Sequence, residues 1–332
     1  MEHLGLGKVK LVPSSTECTR LQRGFLRFEI YSRLFPAHKS NPWDTPPPEL
    51  PFSASDQFDL FLALLTPWEV EEMACIEHYY SSLIGEYMDQ LEEQFISAVM
   101  TSPGVVLPQP SEEPTTANKH GAEQENKREQ LVDVKDLDLT ALVLFSHDGR
   151  YRSPQNISYM TSLGLDFIYN LITSEENKRF EMIRSNSPLT RDFLQRALSH
   201  APRWPPGHQH DEATAPDHRA VTDDPSQSNL GYRLFRTTPD NDMVYVPIVT
   251  WGSRYSLLRQ LGYVFWDAGR VQSPKVFEML AAADNMSQDE IRKQFDRRCR
   301  KPAEERLKGV KLPWGEMDRI ERQYGTTMRN EE

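Results

Sequence analysis

The sequence predicts a mainly α protein: an irregular multi-helix domain with two disordered Pro-rich excursions and room for a few short strands. Three observations lead there. Two segments combine apolar residues at three- and four-residue steps with recognisable helix starts, two polar Pro-rich stretches interrupt the pattern, and strand-like runs are short.

The first helix is expected from Glu17 to Phe35. Ser14 and Glu17 have capping-box spacing, in which a hydroxyl and a carboxylate each satisfy a backbone N–H of the first turn. Leu21, Phe25 and Phe28 form one apolar row and Leu26, Ile30 and Leu34 another, which together predict a wide buried face. Arg20, Arg23 and Arg27 line a separate basic stripe, with Arg33 further on.

The second helix is expected from Pro67 to Val99. Thr66 is placed to cap it, Pro67 to occupy the first helical position and Glu69 to complete the box. Met73, Ile76, Tyr80, Leu83, Tyr87, Leu91 and Phe95 supply the apolar stripe, with Gly85 as its weak point. At 1.5 Å per residue this helix would be about 50 Å long. Its charge is one-sided: Glu69, Glu71, Glu72, Glu77, Glu86, Asp89, Glu92 and Glu93, without Lys or Arg. The favoured reading is a solvated face with some pairing to the arginines of the first helix, each exposed pair contributing under about 1 kcal/mol. The alternative is an acidic docking surface.

Five parts follow along the chain: an N-terminal helical block over 14–100, a disordered linker over 101–129, a middle helical block over 131–199, a disordered loop over 201–229 and a C-terminal helical block over 230–325. The linker and the loop hold nine prolines (103, 108, 110, 114, 202, 205, 206, 216 and 225) among polar residues, too little apolar surface to offset the entropy of ordering. The three blocks are expected to pack as one domain. In the middle block, helical patterns cover 158–172, 176–184 and 190–198, while 132–145 suits helix or strand. In the last block, 232–235 and 243–250 read as short strands or extended segments, and Ser273-Pro274 and Ser287 with Glu290 as helix starts.

A chain of 332 residues with 38% hydrophobic residues and 24 prolines can build a core without staples, diluted by unpacked stretches. Its net charge of -11 opposes general binding to nucleic acids or anionic membranes. Three scattered cysteines fit a reducing compartment, and neither a signal peptide nor a membrane span is evident. The expected location is the cytoplasm, with the nucleus as a second site.

The search for chemistry yields weak candidates. His208, His210 and His218 with Asp211, Glu212 and Asp217 have metal-binding atoms but lie in the Pro-rich loop, without a helix to set their geometry. Cys75 reads as a packed hydrophobe. Cys299, between Arg298 and Arg300, is the better thiolate candidate but lacks an identifiable His partner. No nucleophile elbow, phosphate loop, dinucleotide fingerprint or zincin motif is present, so no catalytic residue, metal or cofactor is assigned.

The basic run Arg292, Lys293, Arg297, Arg298, Arg300 and Lys301, extended by Arg306, Lys308 and Lys311, reads as an import signal or phosphate-binding patch. The favoured reading is a helix face pairing with the acidic helix. The aromatic segment 261–267, including Trp266, packs in most such cases, with a partner-binding hot spot as the alternative.

Three segments also carry a resemblance: Arg23-Gly-Phe-Leu-Arg-Phe-Glu-Ile-Tyr-Ser-Arg-Leu-Phe35, Pro67-Trp-Glu-Val-Glu-Glu-Met-Ala-Cys-Ile76 and Leu261-Gly-Tyr-Val-Phe-Trp-Asp-Ala-Gly-Arg270. In that order they resemble the helical region of the fungal F-box-domain-containing proteins. The resemblance implies a substrate-receptor or scaffold role in ubiquitin ligation, with the F-box docking on an adaptor. An F-box itself is not evident, although Pro47-Pro-Glu-Leu50 is similar to the opening of one. The function expected is thus a non-catalytic interaction module with an unknown protein partner. Its candidate partner-binding residues are Glu69, Glu72, Trp266, Arg297, Arg298 and Arg300. The alternatives are an enzyme with a site assembled from distant segments and a weak nucleic-acid contact through 292–311.

Overall fold

A computed structural model describes residues 12–36, 52–65, 67–108, 131–134, 154–186, 193–199, 254–287, 289–290 and 303–324. In chain order these form α1 (Ser15–Leu34), α2 (Ala54–Leu60) with a 3-10 turn (Leu62–Leu64), α3 (Pro67–Met100), β1 (Leu131–Asp133), α4 (Pro154–Ser162), α5 (Gly164–Thr173), α6 (Glu176–Ser185) and α7 (Leu194–Ser199). There follow α8 (Arg254–Gln260), α9 (Ala268–Val271), α10 (Pro274–Asn285), α11 (Ala303–Arg306), β2 (Lys311–Pro313) and α12 (Trp314–Tyr324). The protein is mainly α. The segments 232–235 and 243–250, and the linker and loop beyond Pro108, lie outside the described residues.

Two compact units are formed, each drawing on all three sequence blocks. The first takes Met1–Ser81, Thr161–Asp166 and Thr190–Arg298; the second takes Ser82–Met160, Phe167–Leu189 and Cys299–Glu332.

In the first unit α1 begins with the full capping box: Ser14 accepts from the Glu17 N–H and the Ser14 N–H donates to Glu17. A second box, Ser53 with Asp56, starts α2, a helix the sequence patterns did not predict. Pro67 opens α3 as expected, and Thr66 lies outside the described residues. Ser273 stands at the N-cap of α10 with Pro274 next to it, and Ser287 and Glu290 exchange the two hydrogen bonds of a box.

α1 turns Glu17, Arg20, Gly24, Phe28 and Tyr31 inward. Phe28 meets Tyr80 and Phe193, while Tyr31 meets Phe35, Phe61 and Phe193, an aromatic cluster with centroids 5.1–6.0 Å apart. The expected apolar face is therefore corrected. Leu26, Ile30 and Leu34 are exposed, at 60%, 40% and 50%. Apolar residues occupy two sides of α1, and buried arginine partners decide which side faces the core.

Gly24 marks a close approach within this unit. A Cβ there would stand 3.3 Å from the ring of Phe265 and 3.5 Å from the side chain of Ile76. One residue from each of the segments 23–35, 67–76 and 261–270 thus meets at a single point.

The helical pattern over 158–172 is two helices. Gly164 adopts φ +79, ending α4 and starting α5, and the Leu165 N–H donates to the Glu29 carboxylate at 2.6 Å, so a side chain from α1 caps α5. A Cβ on Gly164 would lie 2.7 Å from a Glu29 carboxylate oxygen.

In the second unit β1 and β2 pair antiparallel, Leu131 opposite Pro313 and Asp133 opposite Lys311, and Val106 bridges to the other side of Lys311. β1 resolves the start of the ambiguous 132–145 run as strand. α12 buries Met317, Ile320 and Tyr324 at helical spacing, with Tyr324 against Phe95 of α3. Arg179 lies 4.2 Å over the Tyr87 ring and donates to the carbonyls of Leu171 and Ser174, closing the C-terminal end of α5.

Replacing Gly164 by Ala places a side chain at positive φ and crowds the Glu29 cap. The expected loss is about 2 kcal/mol, read as a lower urea midpoint. Gly269→Ala, with nothing within 4 Å of the new methyl, is the matched control and should stay within about 0.5 kcal/mol.

Candidate functional site

The chemistry of the first unit is concentrated where the acidic start of α3 meets arginines from elsewhere. α3 has no cation of its own, so a carboxylate that turns inward must find its countercharge on another element. Glu72 is fully buried and takes Arg23 at 3.1 Å and Arg27 at 2.7 Å, and Arg27 also donates to Glu69. Burial raises the Glu72 carboxyl above its ordinary range, and the charges of Arg23 and Arg27 pull against that rise.

On the neighbouring side of α3, Arg259 of α8 forms a two-pronged pair with Glu71, Nε at 2.7 Å and Nη2 at 2.6 Å, and the Tyr263 hydroxyl donates to the same carboxylate at 3.0 Å. Arg259 and Glu71 are 3% and 2% exposed. Burial alone would pull the guanidinium down, but the Glu71 charge outweighs it and holds Arg259 above its ordinary value. The buried Cys75 thiol is pushed well up, mainly by burial and then by Glu71, which makes it a poor nucleophile.

A third group ties the start of α1 to the start of α9. Buried Glu17 accepts from the Asp267 N–H at 3.0 Å and from Arg270 twice at 2.6 Å. Asp267 in turn accepts from Ser14, from Thr16 at 2.8 Å and from Arg20 at 2.9 Å. Burial opposes ionisation of both carboxyls, but these donors outweigh it and leave both below their ordinary range.

Glu77, one turn and a half after Glu71, differs from the rest. It is 2% exposed, and its Oε2 has no hydrogen-bond partner among the described residues. Burial raises its carboxyl to about 7, with Arg259 pulling the other way. Next to it, His78 is pushed down to about 4, by burial and then by Arg259.

The second unit repeats the theme on a smaller scale. Glu92 is buried and accepts from the Ala303 N–H at 2.7 Å; burial raises it to about 7 against the pull of that bond. Arg306 pairs with Glu93 at 2.5 Å, so this part of the basic run does meet the acidic helix.

The sequence-derived residues therefore fall as follows. Glu69 and Glu72 come together with Arg23 and Arg27, in a half-buried to buried setting; Glu71, Glu72, Glu77 and Glu92 do not form a solvated face. Trp266 is partly exposed, its Nε1 donating to the Leu261 carbonyl at 2.7 Å and its ring 5.3 Å from the Arg270 guanidinium. The rest of its segment packs, with Tyr263, Val264 and Phe265 buried. Arg297, Arg298, Arg300, Cys299 and His208, His210 and His218 lie outside the described residues. Among the described residues no group of three or more His, Cys, Asp or Glu could hold a metal ion, and no helix is long and apolar enough to cross a membrane. Sequence reasoning missed Arg259 and the Glu17–Arg270 pair. For Arg259 the available signal was the absence of any cation in α3, which called for partners elsewhere.

No family model, no curated protein and no solved structure matches the chain.

The Arg259–Glu71 pair makes a quantitative prediction. Arg259→Met strands a buried carboxylate and should cost about 3–5 kcal/mol. The double change Arg259→Met with Glu71→Leu removes both charges and should recover more than half of that loss. Urea unfolding of the two single variants, the double variant and the parent closes the cycle.

Proposed function

We propose that this chain is a non-catalytic helical module for protein–protein interaction, serving as a substrate receptor or scaffold as its resemblance to the fungal F-box proteins implies, and working in the cytoplasm or nucleus. The observation that carries this reading is the meeting at Gly24 of the three segments that bear the resemblance, with Phe265 and Ile76 in contact range of that one position. Residues scattered over some 250 positions thus serve one local packing arrangement. Their polar members are spent on one another: Glu72 on Arg23 and Arg27, Arg270 on Glu17. Groups committed to internal pairs hold helices in place and are not free to act on a substrate.

Affinity capture with mass spectrometry tests the reading, with tags at either end. The matched variant replaces Leu26, Ile30 and Leu34, which α1 leaves exposed, by Glu. The parent chain should enrich a reproducible set of proteins that includes ubiquitin-ligase components, and the variant should deplete it by about tenfold or more. Capture of nothing above background with either tag would sink the proposal.

A further inference from the structure

Around the start of α3 three carboxylates, Glu69, Glu71 and Glu72, face three guanidinium groups, Arg23, Arg27 and Arg259, in direct pairs. Among the described residues the cluster is balanced without Glu77, and a further ionised carboxylate there finds no countercharge that is not already paired.

Among the described residues, the donors that act on or adjoin Glu77 are committed elsewhere. From α1, Tyr31 lies close enough for the Glu77 charge to act on its phenol, but its hydroxyl donates to Gln57 of α2 at 2.7 Å. From α8, Arg259 directs Nε and Nη2 to Glu71. On α3 itself the neighbour is His78, whose ring is kept neutral near pH 7 by burial and by Arg259. With Oε2 unpartnered and the residue 2% exposed, the ionised form is heavily penalised and the neutral acid is the form this core accommodates.

We propose that Glu77 is a proton-gated element of the first unit: α1 and α8 pack on α3 while it carries its proton, and loss of that proton as pH rises to neutral weakens that packing. The direction is opposite to ordinary acid denaturation, in which paired carboxylates lose their partners as pH falls.

The linkage fixes the expected pH window. Glu77 is raised from 4.5 to about 7, so its contribution is complete below 4.5 and is lost as pH rises to 7. His78 is lowered from 6.5 to about 4, so its contribution is complete above 6.5 and is lost as pH falls to 4. The two neighbours act in opposite directions over nearly the same window and largely cancel. Each becomes visible when the other is removed.

The test is urea unfolding of the full chain between pH 4.5 and 8, followed by tryptophan fluorescence, for the parent, Glu77→Gln and His78→Gln. Relative to the parent, Glu77→Gln should gain stability as pH rises, by on the order of 10²-fold in the unfolding constant across the window. His78→Gln should lose stability relative to the parent over the same range. Parallel pH profiles for parent and Glu77→Gln would overturn the proposal. A second measurement serves if Glu77→Gln does not fold. Difference infrared spectroscopy of the Glu92→Gln chain, which lacks the other carboxyl raised to about 7, should show an un-ionised carboxyl band at pH 6 that fades by pH 8. Its absence at pH 6 would equally overturn the proposal.

Discussion

The first unit depends on one constraint: α3 brings carboxylates into the core and carries no cation to match them. The guanidinium fork is planar and directional, so a buried pair fixes orientation as well as charge. With Arg23 and Arg27 engaged on Glu72, the rotation of α1 about its own axis is set. That rotation places Gly24, Phe28 and Tyr31 inward and leaves Leu26, Ile30 and Leu34 at the surface. Apolar area alone would not choose between those two sides, because each offers three or more large side chains.

Such pairs contribute little to net stability, since desolvating both ions costs about as much as their attraction returns. Their effect is on uniqueness. An alternative packing that slid α1 by one turn would strand Glu72, at a cost of several kcal/mol. The Glu17–Asp267 group works in the same way at the other end of α1. Each carboxylate accepts from the segment on which the other resides, so the starts of α1 and α9 are defined together.

Much of the secondary structure was legible because its signals are local. The Ser14–Glu17 box and Pro67 located the starts of α1 and α3 to within about two residues. α2 escaped notice although Ser53 and Asp56 have box spacing, since the surrounding prolines dominated the pattern. The break at Gly164 was illegible because a glycine inside a periodic stretch reads the same whether its φ is negative or +79. Of the candidate site, Glu69 and Glu72 were singled out as part of a solvated face with some pairing to the α1 arginines, and Arg23 and Arg27 do pair with them; the burial of Glu71 depends on Arg259, far along the chain. A charge pattern records which residues lack local partners. It does not record where those partners stand.

That distance has a consequence for how the chain is made. Arg23 and Arg27 leave the ribosome before Glu69 and Glu72 do, so those carboxylates meet their partners as soon as α3 forms. Arg259 follows Glu71 by 188 positions, a delay on the order of 10–40 s at typical rates of synthesis. During that interval Glu71 lacks the group that makes its burial tolerable. The nascent first unit must therefore keep that part of α3 hydrated, and its interior closes only when α8 emerges.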